Sequence, residues 1–192
     1  MIEVFLVGLF TIVFVIYKWG TRFSMRAAND VYPFLRKIDL EAVYGTFHPE
    51  AEEAMRNMHP PKEFRRIQWK RFHLAIYYCE MMSHNAGVLQ SWVRHERKQN
   101  WDSMSHAVRR TVQDLRAACV QCQLSTFVIR MRLRWWLVRS ALIPFTTLPS
   151  FRILLPVGSG DMISYYEKMK ALAELFSLAF GEEFHQKLAR TL

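Results

Sequence analysis

The residues best suited to bind a metal ion or to react are two cysteines three positions apart, Cys119 and Cys122. A Cys-x-x-Cys pair can bind a metal ion, but a structural zinc site needs four ligands. If two long helices turn back near Trp101, residues equally far from the turn lie opposite each other. This register places His84 near Cys119 and Glu80 near Cys122. The sequence therefore allows a Cys-Cys-His-Glu cluster for zinc or iron.

The alternative for the cysteine pair is ordinary packing in a helical core. Both cysteines fall on the apolar stripe of a predicted helix, and free cysteine is among the most buried residue types. A redox Cys-x-x-Cys motif needs a helix N-terminus to lower its pKa, whereas this pair lies in mid-helix. We therefore expect no cofactor. A metal-dependent membrane enzyme with its site in the bundle core remains the alternative.

A second chemical feature is a cluster of arginines and tryptophans, which comprises Arg130, Arg132, Arg134, Trp135, Trp136 and Arg139. Such side chains suit the headgroup zone of an anionic membrane, where rings and cations both find partners. An acidic protein partner would fit equally well, and the alternative is a buried tryptophan pair beside a solvated arginine face. Nucleic acid is a less favoured partner because no recognised nucleic-acid motif accompanies the cluster.

Two long helical segments are predicted to position these residues. No proline occurs between Pro61 and Gln99, and apolar residues recur there at 4-3 spacing. The second segment, Ser103 to about Ile143, has the same spacing, and the polar turn between them contains good N-cap residues. Heptad-patterned helices joined by a short turn fold back antiparallel. We predict a long antiparallel hairpin over residues 61–143, with Asn85 at a structural seam position.

The rest of the domain is also predicted to be helical. Residues 21–60 are read as short juxtamembrane helices, one of which begins at Pro49 and ends near Met58. Residues 144–160 contain three prolines and two glycines and form an apolar loop able to dip into a membrane interface. Residues 161–192 are predicted to form an amphipathic helix that is capped by Asp161, packs on the hairpin, and is ended or interrupted at Gly181. The expected fold class is all-α.

The first 20 residues predict a transmembrane anchor. Every residue from Val4 to Tyr17 is apolar except Thr11, and about 20 such residues can cross a bilayer. A cleaved signal peptide and a buried core helix are the competing explanations. Basic residues follow the segment, and the only charged residue before it is Glu3. The positive-inside rule then places the N-terminus outside and the helical domain in the cytoplasm, on an inner membrane.

Charge and missing motifs narrow the expected function. The segment from Phe64 to Arg139 carries 14 Lys and Arg against 4 acids, although the whole chain has a net charge of only +9. No Gly-rich phosphate loop, nucleophile elbow or His-Glu-x-x-His motif occurs,. We expect a non-enzymatic accessory or scaffolding subunit of a membrane protein complex, with anionic lipid and other subunits as partners. A membrane-tethered regulator that contacts nucleic acid is a further alternative.

Overall fold

The computed structural model of the chain describes residues 31–143, 148–151 and 159–192. Within these ranges there is no strand, and the predicted all-α class is confirmed. We number six α-helices in these ranges: α1 Leu40–Phe47, α2 Pro49–Met58, α3 Pro61–Asn100, α4 His106–Leu142, α5 Ser159–Ser177 and α6 Glu182–Thr191. Short 3-10 helices cover Tyr32–Phe34 and Leu178–Phe180.

Helices α3 and α4 form a long antiparallel hairpin. Pro61 occupies the first turn of α3, where its missing N–H would have no intrahelical partner in any case. The Ser105 hydroxyl caps α4 by accepting a hydrogen bond from the Val108 N–H at 3.4 Å. Arg109 closes the turn because its guanidinium donates to the Met104 carbonyl at 3.1 Å and the Asp102 carbonyl at 3.0 Å.

The C-terminal region forms two helices, and the interruption lies at Gly181, where the predicted helix was expected to end or be interrupted. It begins at Ser159 rather than at an Asp161 cap, and it is broken at Gly181, whose φ is +102°. Only glycine adopts this backbone conformation without strain. The break turns α6 back on the bundle and buries Phe184, whose ring centroid lies 5.4 Å from that of Trp92. Helix α5 packs along both long helices of the hairpin.

Asn85 fixes the N-terminal segment to the bundle. Its side-chain oxygen accepts a hydrogen bond from the Arg36 N–H at 2.8 Å, and its amide donates to the Arg36 carbonyl at 2.8 Å. The same amide also donates to the Tyr166 hydroxyl on α5 at 2.9 Å. Asn85 is therefore structural, as the seam position indicates, and it joins three parts of the chain.

A buried ion pair joins the short helices to the hairpin. The Arg71 guanidinium donates to the carbonyls of Thr46 and His48 at 2.7 and 2.6 Å, and it lies 4.0 Å from Glu52. Glu52 in turn accepts a hydrogen bond from the Phe151 N–H at 2.8 Å. The network thus connects α2 and the segment at Phe151 to Arg71 on α3.

The predicted interfacial loop, residues 144–160, is described only in part, since 144–147 and 152–158 lie outside the described ranges. Phe151, one of its apolar residues, does not face outward. It is 1% exposed, and its ring lies 4.9 Å from Phe72 and 5.9 Å from Phe47 between centroids. At this position the expectation was wrong, because the Phe151 ring fills the core beside the Arg71–Glu52 pair.

Among the described residues, no helix is long and apolar enough to cross a membrane. The predicted anchor, residues 1–20, and the first ten juxtamembrane residues lie outside the described ranges. The anchor and its orientation therefore stay predictions.

Candidate functional site

The four residues of the predicted metal cluster are not brought together. Cys119 and Cys122 are fully buried, whereas Glu80 forms an ion pair with Arg134 at 2.6 Å. The His84 Nε2 atom lies 2.9 Å from the Phe34 carbonyl oxygen. In the part of the chain that the structure describes, no group of three His, Cys, Asp or Glu residues is placed to hold a metal ion.

The reason is the rotation of α3 about its axis. Cys79, the residue before Glu80, faces the core with Cys122, and its Sγ atom lies 3.7 Å from the Met162 Sδ atom. One residue corresponds to about 100° of rotation, which turns Glu80 to the bundle edge. The three thiols therefore pack among apolar side chains.

Burial keeps these thiols protonated. Loss of solvation raises the pKa of Cys79 and Cys122 to about 12, and it also raises the pKa of Cys119. Thiolates, rather than thiols, bind metals and act as nucleophiles. The expectation of core packing for the cysteine pair agrees with this environment.

The arginine and tryptophan cluster does not form one surface. Arg130 is 6% exposed, and the loss of solvation lowers its pKa. Trp136 packs against the core, with the Arg139 guanidinium 4.9 Å above its ring centroid. Trp135, in contrast, is 65% exposed. Arg130 and Trp136 therefore belong to the bundle, and only part of the predicted binding cluster faces outward.

Trp135 belongs to a row of exposed apolar side chains that runs along α4. We call this row the outer stripe, and it comprises Val120, Leu124, Val128, Met131, Trp135, Val138 and Leu142. The exposed fraction of its side chains ranges from 41% at Val120 to 74% at Leu142. Successive members are three or four residues apart, which is the spacing of one helix face.

The outer stripe lies opposite the face that α4 buries in the bundle. At about 100° per residue, its members fall within an arc of about 80°. The centre of this arc is roughly 180° from the centre of the buried face. That inner face comprises Leu115, Cys119, Cys122, Ile129, Leu133 and Leu137, all buried. Helix α4 thus has two apolar stripes, and α3 and α5 cover only one.

The borders of the outer stripe are basic. From Val120 to Ile143 the sequence has four arginines and no acid. Arg132 and Arg139 lie along one border, and Arg134, 52% exposed at its side chain, lies along the other,. A partner on this face would therefore meet apolar side chains between positive edges.

The outer stripe was not predicted from the sequence, where only one apolar stripe was assigned to this helix. The 4-3 pattern through Cys119, Cys122 and Leu133 accounts for the buried face. A second 4-3 pattern, through Leu124, Met131 and Val138, occupies the same residue range. The two interleaved 4-3 patterns in one helix were the signal in the sequence that indicated a second apolar face.

A surface pocket near the start of α3 is a weaker candidate. Its volume is about 450 Å³, and it is lined by Arg56, His59, Pro61, Phe64, Arg65, Gln68, Trp69 and Leu148. The Arg56 side chain is already paired with Glu52 at 3.5 Å, and His59 lies 3.5 Å from Glu63. Two of its three basic residues are thus engaged within the chain.

The Ser177–His185 pair resembles part of a nucleophilic site only by residue type. The Ser177 hydroxyl lies 2.7 Å from the His185 Nδ1 atom, but it also donates to the Glu174 carbonyl at 2.6 Å. Ser177 is fully buried. These contacts satisfy hydrogen-bonding groups at the end of α5. The burial of Ser177 leaves no access for a substrate.

Comparisons with known proteins identify no relative. No protein-family model matches the chain, and neither the curated proteins nor the solved structures provide a significant match.

Proposed function

We propose that the protein is a non-enzymatic accessory or scaffolding subunit of a membrane protein complex. The predicted N-terminal anchor holds it at the membrane, and the outer stripe of α4 docks another component. The observation that carries the proposal is the outer stripe itself. Contiguous exposed apolar surface on an ordered domain is typical of an interaction site.

The energetics of the stripe support a docking role. Burial of apolar surface contributes about 25 cal/mol per Å². From Val120 to Leu142 the stripe is roughly 33 Å long at 1.5 Å per residue. Its seven side chains are 41% to 74% exposed, and the opposite face of α4 supplies the fully buried contacts of the bundle core. Its apolar character is therefore available for a partner.

The shape of the hairpin also suits a scaffold. Helix α3 has 40 residues and α4 has 37, which correspond to roughly 60 and 55 Å. Their buried seam, the Asn85 hydrogen bonds and the Arg71–Glu52 pair hold this body in one arrangement. A long rigid face can position a partner without any chemistry of its own.

The test is co-purification after mild detergent extraction from membranes. The double variant Met131→Glu, Trp135→Glu places two charges in the outer stripe, where the side chains are 51% and 65% exposed. The control Leu175→Glu, Leu178→Glu places the same charges at two positions that are each 54% exposed. We expect the first variant to lose stoichiometric membrane partners at least tenfold and the control to keep them.

Both variants are expected to retain the helicity and melting temperature of the original chain, since the substituted side chains are exposed. If the stripe variant keeps the same partners at the same stoichiometry, the proposed docking function is wrong.

A further inference from the structure

We propose that the outer stripe binds an acidic amphipathic helix of a protein partner, which packs on α4 as in a two-stranded coiled coil. This inference rests on the proposed function and names the chemistry of the partner. Three observations carry it: the heptad spacing, the narrow width of the stripe and the sign of the charges at its borders.

The spacing of the stripe is that of a coiled-coil seam. Six of its members alternate strictly by four and three residues: Leu124, Val128, Met131, Trp135, Val138 and Leu142. In heptad notation Val128, Trp135 and Leu142 occupy a positions, and Leu124, Met131 and Val138 occupy d positions. The side chains of one facing helix pack between the residues of such a seam, as knobs into holes. The large Trp135 ring at an a position calls for a small residue opposite it.

The width of the stripe favours a helix over a lipid surface. An arc of about 80° is a narrow seam, whereas a helix that lies in a bilayer interface has a broad apolar face opposite its polar one. On the side of Arg132 and Arg139 the seam is bordered directly by polar positions, Gln121 and Ser125 among them. A single facing helix would cover the seam and leave these borders in water.

The border charges select the partner. In the same notation Arg132 and Arg139 occupy e positions and Arg134 occupies a g position, and these positions set partner choice in coiled coils. A second copy of this chain would place arginine against arginine in either orientation. The chain's own apolar segment from Val4 to Tyr17 contains no acid. A helix with Glu or Asp at its e and g positions complements the surface.

The partner's acids contribute specificity more than affinity. An exposed e/g ion pair contributes little to the binding free energy, whereas burial of the seam supplies most of it. Arg134 already contacts Glu80 at 2.6 Å. Its guanidinium has further N–H donors, which can also bind a carboxylate of the partner. The charges at the e and g positions therefore decide which of several otherwise similar helices binds most tightly.

The experiment uses two synthetic helices of about four heptads with identical leucine and alanine seams. One peptide carries Glu at every e and g position, and the other carries Lys. The full chain in mild detergent is titrated into each labelled peptide and followed by fluorescence anisotropy. We expect the Glu peptide to bind at least tenfold more tightly. Met131→Glu, Trp135→Glu should abolish this binding, and Leu175→Glu, Leu178→Glu should leave it unchanged.

Several results would overturn the inference. Equal affinity for the two peptides, or binding of neither peptide, would contradict it. So would adsorption to phosphatidylserine vesicles in place of peptide binding, or a dimer in analytical ultracentrifugation, if either depends on the outer stripe. If co-purification depends on the stripe but the peptides bind equally, the acidic-helix inference fails and the proposed function stands. If co-purification is independent of the stripe, the proposed function fails whatever the peptides do.

Discussion

Leu133 and Trp135 lie two residues apart on α4 and face opposite sides of it. Leu133 is fully buried between the helices of the bundle, whereas Trp135 is 65% exposed. Two residues correspond to about 200° of rotation, so neighbouring apolar positions serve different surfaces. One stripe holds the fold together, and the other lies at the surface of α4.

Alanine substitutions at these two positions should separate stability from binding. Leu133→Ala removes fully buried methyl groups and is expected to lower the free energy of unfolding by about 2–5 kcal/mol. Trp135→Ala removes an exposed ring and is expected to change it by no more than about 0.5 kcal/mol. Urea unfolding followed by circular dichroism measures both. A large loss of stability in the Trp135 variant would show that this ring supports the fold.

Removal of the Arg71 side-chain charge should destabilise the domain strongly. Arg71→Met leaves the Thr46 and His48 carbonyls without their donor and Glu52 without its buried counter-charge. Breaking a buried pair in this way costs about 3–5 kcal/mol. Arg66→Met, at an exposed position of the same helix, is the matched control and should be nearly neutral in the same unfolding assay. Equal effects of the two substitutions would contradict the structural role of Arg71.

Two glycines should respond to alanine in opposite directions. Gly181 has φ +102°, so Gly181→Ala forces strain at the break between α5 and α6 and should cost about 1–3 kcal/mol,. Gly45 lies within α1 with nothing within 4 Å of an added Cβ. Gly45→Ala should therefore stabilise the protein by about 0.5–1 kcal/mol. Chemical denaturation of both variants checks the signs, and stabilisation by Gly181→Ala would be inconsistent with the break.

Alkaline pH should weaken the fold through the buried thiols. Burial raises the pKa of Cys79 and Cys122 from 9.0 to about 12. The folded state therefore holds protons that the unfolded state releases. Stability from this source is complete below the unfolded pKa near 9.0 and is lost as pH rises towards about 12. Thermal melts across this range should show the loss.

The matched control for the pH effect is the triple variant Cys79→Ala, Cys119→Ala, Cys122→Ala. Its melting temperature is expected to fall less steeply above pH 9.0, because three of the titrating groups are gone. The Tyr166 hydroxyl, whose pKa burial also raises to about 12, leaves a residual slope. Identical slopes in the two proteins would exclude the thiols as the source.

Much of the helical architecture was predictable from local residue chemistry. The absence of proline between Pro61 and Gln99, together with the 4-3 spacing, specifies a long helix,. Pro49 and the acids that follow it mark the start of α2, and the observed helix runs from Pro49 to Met58. These features act within a few residues of chain, so the sequence alone reveals them.

The rotation of each helix was not predictable in the same way. Whether Cys79 or Glu80 faces Cys122 depends on a rotation of one residue, which tertiary packing decides. The burial of Arg130 and the exposure of Trp135 follow from where α3 and α5 lie around α4. For the same reason the candidate site was found only in part: Arg132, Arg134, Trp135 and Arg139 border or belong to the outer stripe, and Arg130 and Trp136 do not.

The most direct test of a docking role for the outer stripe is photo-cross-linking in native membranes. A photoreactive residue replaces Trp135 in the stripe, which is 65% exposed, or, as the control, Leu175 on α5, which is 54% exposed. We predict cross-linking from position 135 to a discrete membrane-complex polypeptide and none to that polypeptide from position 175. If position 135 cross-links only to lipid or within its own chain, or to the same proteins as position 175, the outer stripe is not a docking surface for a partner subunit.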